Sequence, residues 1–305
     1  MKKALVTGAA GFIGVNMVKE LLHRGFAVSA LIEKNNENSR RKLHSINKGI
    51  EIIEDIDNLI ALSHEMDSYD VIFHLATVGV RPDFEDIELL CDVNIKLACK
   101  LVDFTKSNNS KLLVNFGSCF EYGDHGNILL SEEMTCNPES LYAISKNAST
   151  KLVMEYAKIK KVNLITVRPF GVFGEGEGIN RLAPSIIKSC MEGKSVKTTE
   201  GNQIRDFVDV KDVVKAIIDL TEAKYESYEI YNICSDNPVQ VKDFIKEIVQ
   251  VCKFDRGLIK FGALPYRNNE AMIFAGKNEK LQKLINYNFP TNHRSGILDI
   301  YNSMM

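Results

Sequence analysis

The chain has 305 residues with 38 Lys and Arg against 40 Asp and Glu, 45% apolar residues, seven Cys and no Trp. That balance excludes a disordered or collagen-like chain and leaves room for one large α/β domain or two small ones. A net charge of −2 and a pI near 6.3 supply no global field for nucleic acid or anionic lipid, so neither a nucleic-acid nor a membrane partner is expected.

The cysteines are odd in number and none forms a C-x-x-C pair. This argues for dispersed thiols in a reducing compartment, with the cytoplasm as the default, and against a disulfide framework, a zinc ribbon or any other metal site. The longest apolar stretch, Val71 to Val80, is broken by His74 and falls short of the roughly 18 residues that cross a bilayer. Met1-Lys2-Lys3 and the apolar residues after it imitate a signal peptide, but Gly8, Gly11 and Gly14 interrupt the run, and we read the segment as structure. No repeat, low-complexity tract or flexible linker is visible.

In chain order, short apolar runs occur at Ala4-Leu5-Val6, Phe26 to Ile32, Ile50 to Ile53, Val71 to Leu75, Lys111 to Phe116 and Val162 to Val167. They lack in/out alternation, as parallel strands covered on both faces do, and helix-length periodic segments separate several of them. The pattern predicts an α/β fold with a doubly wound parallel sheet. Val15, Val18, Leu21 and Leu22 share one helical face, with Gly25 as the stop. After Pro169 the texture changes to turns at Gly171, Gly174, Gly176 and Gly178, followed by helices around Leu182 to Met191 and Val210 to Leu220. The expected division is residues 1–174 with 198–225 in a dinucleotide-binding Rossmann domain, and 175–197 with 226–305 in a smaller, discontinuous substrate-binding lobe.

Thr7-Gly8-Ala9-Ala10-Gly11-Phe12-Ile13-Gly14 follows the first strand and opens the first helix. Glycine at these places admits a diphosphate to the backbone, while the amides at the helix start, those of Phe12 and Ile13 included, supply donors and partial positive charge. A glycine-rich tight turn without a ligand has the same local sequence; the strand before and helix after favour the nucleotide site. Tyr142 and Lys146 are four apart on a segment that reads as a helix. That spacing stacks phenol and ammonium on one face, where the cation is expected to lower the Tyr pKa, although a solvated Tyr and Lys would show the same spacing. Ser118 ends the fifth strand, a common place for a turn former, and its hydroxyl could hold a carbonyl oxygen while Tyr142 transfers a proton.

The spacing G-x-x-G-x-x-G, the Ser118 segment Gly117-Ser118-Cys119-Phe120-Glu121-Tyr122-Gly123 and Tyr142-x-x-x-Lys146, in that order, resemble the extended short-chain dehydrogenase/reductase (NAD-dependent epimerase/dehydratase) family. The resemblance covers nearly the whole chain and implies a catalytic triad of Ser118, Tyr142 and Lys146. It also implies cofactor contacts at Gly8, Gly11, Gly14, Asp55, Ile56, Leu75, Ala76, Thr77 and Asn94, and at Arg168, with Tyr142 and Lys146 serving the nicotinamide ribose. Asp55 and Ile56 read equally as a turn, His74 as a satisfied strand-end histidine and Asn94 as a polar helix residue. Glu33 suits the ribose hydroxyls of NAD, whereas Lys34, Arg40 and Arg41 offer cations to a 2′-phosphate. NADP(H) is favoured and NAD(H) possible.

Arg168-Pro169-Phe170-Gly171 matches the family's Arg-x-x-Asn, with Gly171 where Asn is usual. The resemblance assigns Cys119, Phe120, Phe170, Gly171 and Arg181 to the substrate, and sets Arg205 and Arg267 as a clamp on its diphosphate. Asp209 and Asp212 are expected to cap and orient a helix. The Arg267 segment and the Phe-Glu-Tyr-Gly form of the Ser118 loop look most like the nucleotide-sugar 4-ketoreductases, the CDP-abequose and CDP-paratose synthase group and the dTDP-4-dehydro-6-deoxyglucose reductases. The implied activity is NAD(P)H-dependent reduction of the C4 ketone of a CDP- or dTDP-linked 4-keto-6-deoxyhexose in bacterial deoxysugar biosynthesis. A 4,6-dehydratase would need Asp-Glu where Cys119 and Phe120 stand. A 4-epimerase with tightly bound NAD uses the same triad, and a non-catalytic nucleotide sensor is the remote alternative. A homodimer through helices at about 86–108 and 139–159 is expected.

Overall fold

The computed structural model describes every residue from 1 to 305 except Pro82, Asn268 and Asn269. Six apolar runs form strands β1 (Lys3–Thr7), β2 (Ala27–Leu31), β3 (Glu51–Ile53), β4 (Val71–His74), β5 (Leu113–Phe116) and β6 (Leu164–Pro169). With the strand Glu229–Ile233 they make a seven-stranded sheet in the order Glu229–Ile233, β6, β5, β4, β1, β2, β3. Neighbouring pairs from β6 to β3 run parallel, with Thr7 in register with Leu31 on one side and His74 on the other. This is the doubly wound fold the uniform apolar runs imply: every residue of β4, β5 and β6 is buried.

The strand order reverses between β1 and β4, which opens a crevice at their carboxyl ends. Helix α1 (Phe12–His23) starts there and stops at Arg24, with Gly25 next at φ +79°. Helices α2 (Glu37–Ile46), α3 (Ile56–Ala61), α4 (Ile87–Cys91), α5 (Leu97–Ser107) and α6 (Leu141–Lys160) complete this body. Ser140 caps α6 by accepting the Ala143 amide, and Lys161 ends it in the left-handed conformation. The expected helix at about 86–108 forms as one helical run, with a π turn, Asp92–Lys96, set between α4 and α5. Leu101, Phe104, Leu113, Val153 and Leu164 belong to one buried cluster of this body.

The chain divides into two compact units, the first of residues 1–123, 135–169 and 214–231, the second of 124–134, 170–213 and 232–305. These bounds differ from the predicted ones because backbone pairing draws 124–134, 170–174 and 198–213 into the second unit and, through the strand beside β6, 226–231 into the first. Gly171–Phe173 pairs with Phe207–Asp209, and Ile204–Arg205 pairs with both Val239–Gln240 and Ile273–Phe274. The second unit also contains α7 (Leu182–Met191), α9 (Val241–Val251) and the helix Arg294–Met304. Its core places Phe207 on Phe244 with ring centroids 4.0 Å apart. Helix α8 spans Val210–Glu222. No helix among the described residues is long and apolar enough to cross a membrane.

Candidate active site

The glycine turn joins β1 to α1. Gly8 has φ +64°, and a Cβ there would lie 2.7 Å from the Ala76 amide nitrogen; at Gly14 it would lie 2.1 Å from the Gly8 carbonyl oxygen. Gly11 is different: its φ is −71°, it is exposed, and a Cβ would meet only the Gly8 oxygen at 3.1 Å. Packing thus requires glycine at 8 and 14, while at 11 glycine leaves the outer side of the turn bare. The Val15 amide makes the first helical bond, to Gly11, so the amides of Phe12, Ile13 and Gly14 have no acceptor within the helix. A donor-rich turn with no side chain over it fits a dinucleotide diphosphate. Lys42, which motif reading missed, reaches back 32 residues to donate to the Ala10 carbonyl at 2.9 Å.

Around this turn the predicted cofactor residues divide. Glu33 and Lys34 are exposed, with Asn36 donating to Glu33 at 3.2 Å. Arg40 pairs with Glu54 at 3.1 Å and Glu37 at 3.7 Å. Asp55 caps α3 by accepting the amides of Asp57 and Asn58, which holds its carboxyl below the usual range, and Ile56 begins that helix. Leu75, Ala76 and Thr77 follow β4 and are partly buried, with the Ala76 amide on the Thr7 hydroxyl at 3.1 Å.

Two of the expected cofactor residues are already bonded within the protein. Asn94, in the π turn, is fully buried, and both ends of its amide are engaged by protein: Oδ1 accepts from Thr77 and the Val78 amide, and Nδ2 donates to the Val78 carbonyl and Ser145. It ties the segment after β4 to the first turns of α6. Arg168 is 2% exposed and donates to Glu121 at 3.1 Å from Nε and 2.7 Å from Nη2, with Cys136 Sγ at 3.2 Å. Its guanidinium stacks 4.4 Å from the Tyr122 ring centroid, so it too is a buried structural group.

Ser118 leaves β5 in extended conformation and caps the short 3-10 turn Cys119–Glu121; its Oγ accepts the Phe120 amide, and its own amide donates to Glu121. Tyr142 lies one turn before Lys146 on α6; the Ser118 and Thr77 side chains act favourably on its hydroxyl, and its ring meets Phe120 edge-on at 6.4 Å. Burial pushes the phenol up to about 12, opposite in sign to the expected lowering. Burial likewise brings the Lys146 ammonium, 2% exposed, down to about 8, against an upward pull from Glu121. His74 is held neutral, down to about 3, by burial and the Lys146 charge; its Nδ1 lies 2.9 Å from the Thr7 hydroxyl. At neutral pH this site offers a protonated phenol and, one helical turn along α6, a buried lysine, the pair of groups that acid–base work on a carbonyl requires.

In the second unit, Phe170 is buried against Phe274, with ring centroids 6.5 Å apart, and the Gly171 amide donates to the Asp206 carbonyl at 2.9 Å. A Cβ at 171 would lie 2.4 Å from that oxygen, so the backbone pairing explains glycine where Asn is usual and leaves no side chain for a substrate contact. Arg181 immediately precedes α7, without a side-chain capping bond, and lies 3.6 Å from Glu177, whose carboxyl is pushed up by burial to about 7. Arg205 pairs with Glu270 at 2.6 Å, whose amide in turn bonds the Arg267 carbonyl, bringing the exposed Arg267 into the same neighbourhood. Asp209 accepts the Lys211 amide near the start of α8, and Asp212 accepts the Tyr287 hydroxyl at 2.7 Å.

Residues 4–234 match the model of the NAD dependent epimerase/dehydratase family. The chain is 28% identical to CDP-abequose synthase of Salmonella typhimurium over 92% of its own length and 91% of that protein, and 28% identical to UDP-glucuronate 4-epimerase 4 of Arabidopsis thaliana over 96% and 73%. Its fold matches the structure of UDP-N-acetylglucosamine 4-epimerase from Methanobrevibacter ruminantium with a TM-score of 0.87 at 24% identity, covering 100% of this chain and 99% of the other. The bare-backed glycine turn at the strand-order reversal and the Tyr142–Lys146 helix facing Ser118 agree with the match over more than two-thirds of the sequence: the chain belongs to the NAD dependent epimerase/dehydratase family.

Proposed function

We propose that the protein reduces the C4 ketone of a nucleoside-diphosphate 4-keto-6-deoxyhexose, CDP- or dTDP-linked, with a reduced nicotinamide dinucleotide. The observation that supports this reading is the placement of Tyr142 one helical turn before the buried Lys146 on α6, with Ser118 on the loop that follows β5. A bound nicotinamide supplies the hydride to C4. Tyr142 gives its proton to the C4 oxygen as the carbonyl becomes an alcohol, and Ser118 holds that oxygen. Lys146 places a positive charge behind the phenol and holds the nicotinamide ribose. Cys119 and Phe120 stand where a 4,6-dehydratase needs an acid and a base, and the likeness to CDP-abequose synthase supports a deoxysugar substrate. Arg205 and Arg267 would bind its diphosphate, Arg205 by exchanging its Glu270 partner for it.

A 4-epimerase is the second reading, favoured by the likeness to UDP-glucuronate 4-epimerase. It would begin with Tyr142 as a base that takes the proton of the C4 hydroxyl, and it uses the same three side chains. For the dinucleotide, Lys34 and Arg41 support NADPH, whereas Arg40, committed to Glu54 and Glu37, does not. The protein works in the cytoplasm as a homodimer, which covers the exposed apolar stripe Leu141, Ile144, Leu152 and Ile159 along α6. The test is incubation with CDP- and dTDP-4-keto-6-deoxyglucose and NADPH or NADH, following absorbance at about 340 nm and the C4 configuration of the product by NMR. Stoichiometric oxidation supports the reductase. Turnover of a nucleotide sugar with tightly held NAD and no net oxidation establishes the epimerase instead.

A further inference from the structure

Under the Ser118 loop lies a charge pair that takes no part in the proton transfer. Glu121 is fully buried and Arg168 nearly so. Such pairs add little stability over apolar side chains of equal volume, so stability alone gives no reason for this one. The geometry gives one. Glu121 Oε1 accepts the Ser118 amide at 2.8 Å and the Thr150 hydroxyl at 3.1 Å, while Oε2 accepts both Arg168 donors. Gly117 leaves the space for this carboxylate, since a Cβ there would lie 2.4 Å from Oε1.

We propose that Glu121 is a positioning residue: anchored by Arg168 and Thr150, its carboxylate clamps the Ser118 amide and so sets the Ser118 hydroxyl against the Tyr142 oxygen. This rests on the reading of Ser118 and Tyr142 as the reacting pair. The clamp joins β5, α6 and β6, so the loop carrying Ser118 is referenced to the helix carrying Tyr142. The charge has a second effect. The ionisable groups around it are Arg168, Lys146, the phenols of Tyr122 and Tyr142 and the thiols of Cys119 and Cys136. Glu121 raises the proton affinity of both Tyr142 and Lys146.

Two variants separate the clamp from the charge. Glu121→Leu/Arg168→Met removes the clamp without leaving a buried charge unpaired; Glu121→Gln keeps an acceptor for the Ser118 amide but removes the charge. For the double variant we expect the Ser118 amide proton to move upfield, and kcat for the ketosugar to fall by about 10-fold or more, as misplacement of a reacting group does. KM and dinucleotide Kd should stay within about 3-fold, because the clamp touches neither ligand. For Glu121→Gln, the 13Cζ resonance of Tyr142, assigned through Tyr142→Phe, should titrate at lower pH than in the wild type. A folded double variant with wild-type kcat and an unmoved Ser118 amide overturns the proposal, as does an unmoved Tyr142 titration in Glu121→Gln. Should Glu121→Gln fail to fold, the double variant decides alone. Should the wild type turn over no ketosugar, the proposed reaction falls, and the two NMR readouts still decide the clamp.

Discussion

The three glycines of the β1–α1 turn serve two physical purposes, and alanine separates them. At Gly14 a Cβ would stand 2.1 Å from the Gly8 oxygen and 2.8 Å from Ala9 Cα, both backbone atoms, so α1 must shift away from β1. Overpacking of this kind costs about 1–3 kcal/mol. At about 2–4 °C per kcal/mol for a domain of this size, Gly14→Ala should lower Tm by roughly 2–12 °C. At Gly11 the added methyl meets only one atom, at 3.1 Å, with φ already at −71°. Loss of a helix-capping glycine there costs about 0.5 kcal/mol, so the melt should move by about 2 °C or less. The methyl would instead occupy the side from which a diphosphate approaches, and dinucleotide Kd should rise by about 10-fold or more. Differential scanning calorimetry with titration calorimetry checks both variants. A Gly14→Ala protein that melts with the wild type, or a stable Gly11→Ala protein that binds dinucleotide undiminished, would refute the division of roles.

Tyr142→Phe should lower kcat by about 10²–10⁴-fold, measured by steady-state kinetics, with dinucleotide Kd retained. Lys146, brought down to about 8 from its ordinary value of 10.5, binds fewer protons folded than unfolded between those limits, so its penalty on the folded state is full below about pH 8 and is relieved as the pH rises to 10.5. The shift corresponds to about 3 kcal/mol, and urea melts of wild type against Lys146→Met across that window should show the difference shrinking with rising pH. Asn94→Leu leaves the partners of four hydrogen bonds to find others and should cost about 3 kcal/mol by urea melts, loosening the segment after β4. Gly171→Asn, which restores the residue common in the family, should destabilise by about 1–3 kcal/mol in the same assay, because its Cβ collides with the Asp206 oxygen.

Local pattern was enough to expose much of this protein. Uniform apolar runs gave away buried parallel strands, and the glycine spacing between Thr7 and Gly14 announced a strand-to-helix turn open to a ligand, since these depend on neighbours in sequence. Tyr142 and Lys146 sit one helical turn apart for the same reason. The environment of those groups was a tertiary matter. Burial, set by the whole sheet and its covering helices, reversed the expected sign of the Tyr142 shift. Asn94 meets Ser145 across 51 residues and Arg168 meets Glu121 across 47, and no local pattern marks either pairing. The division into units arose from backbone pairing between distant short strands, including the one that leaves position 171 room only for glycine. Residue types and spacing determined which chemistry the chain could carry, while the folded packing decided which of its polar groups are buried and already bonded to one another.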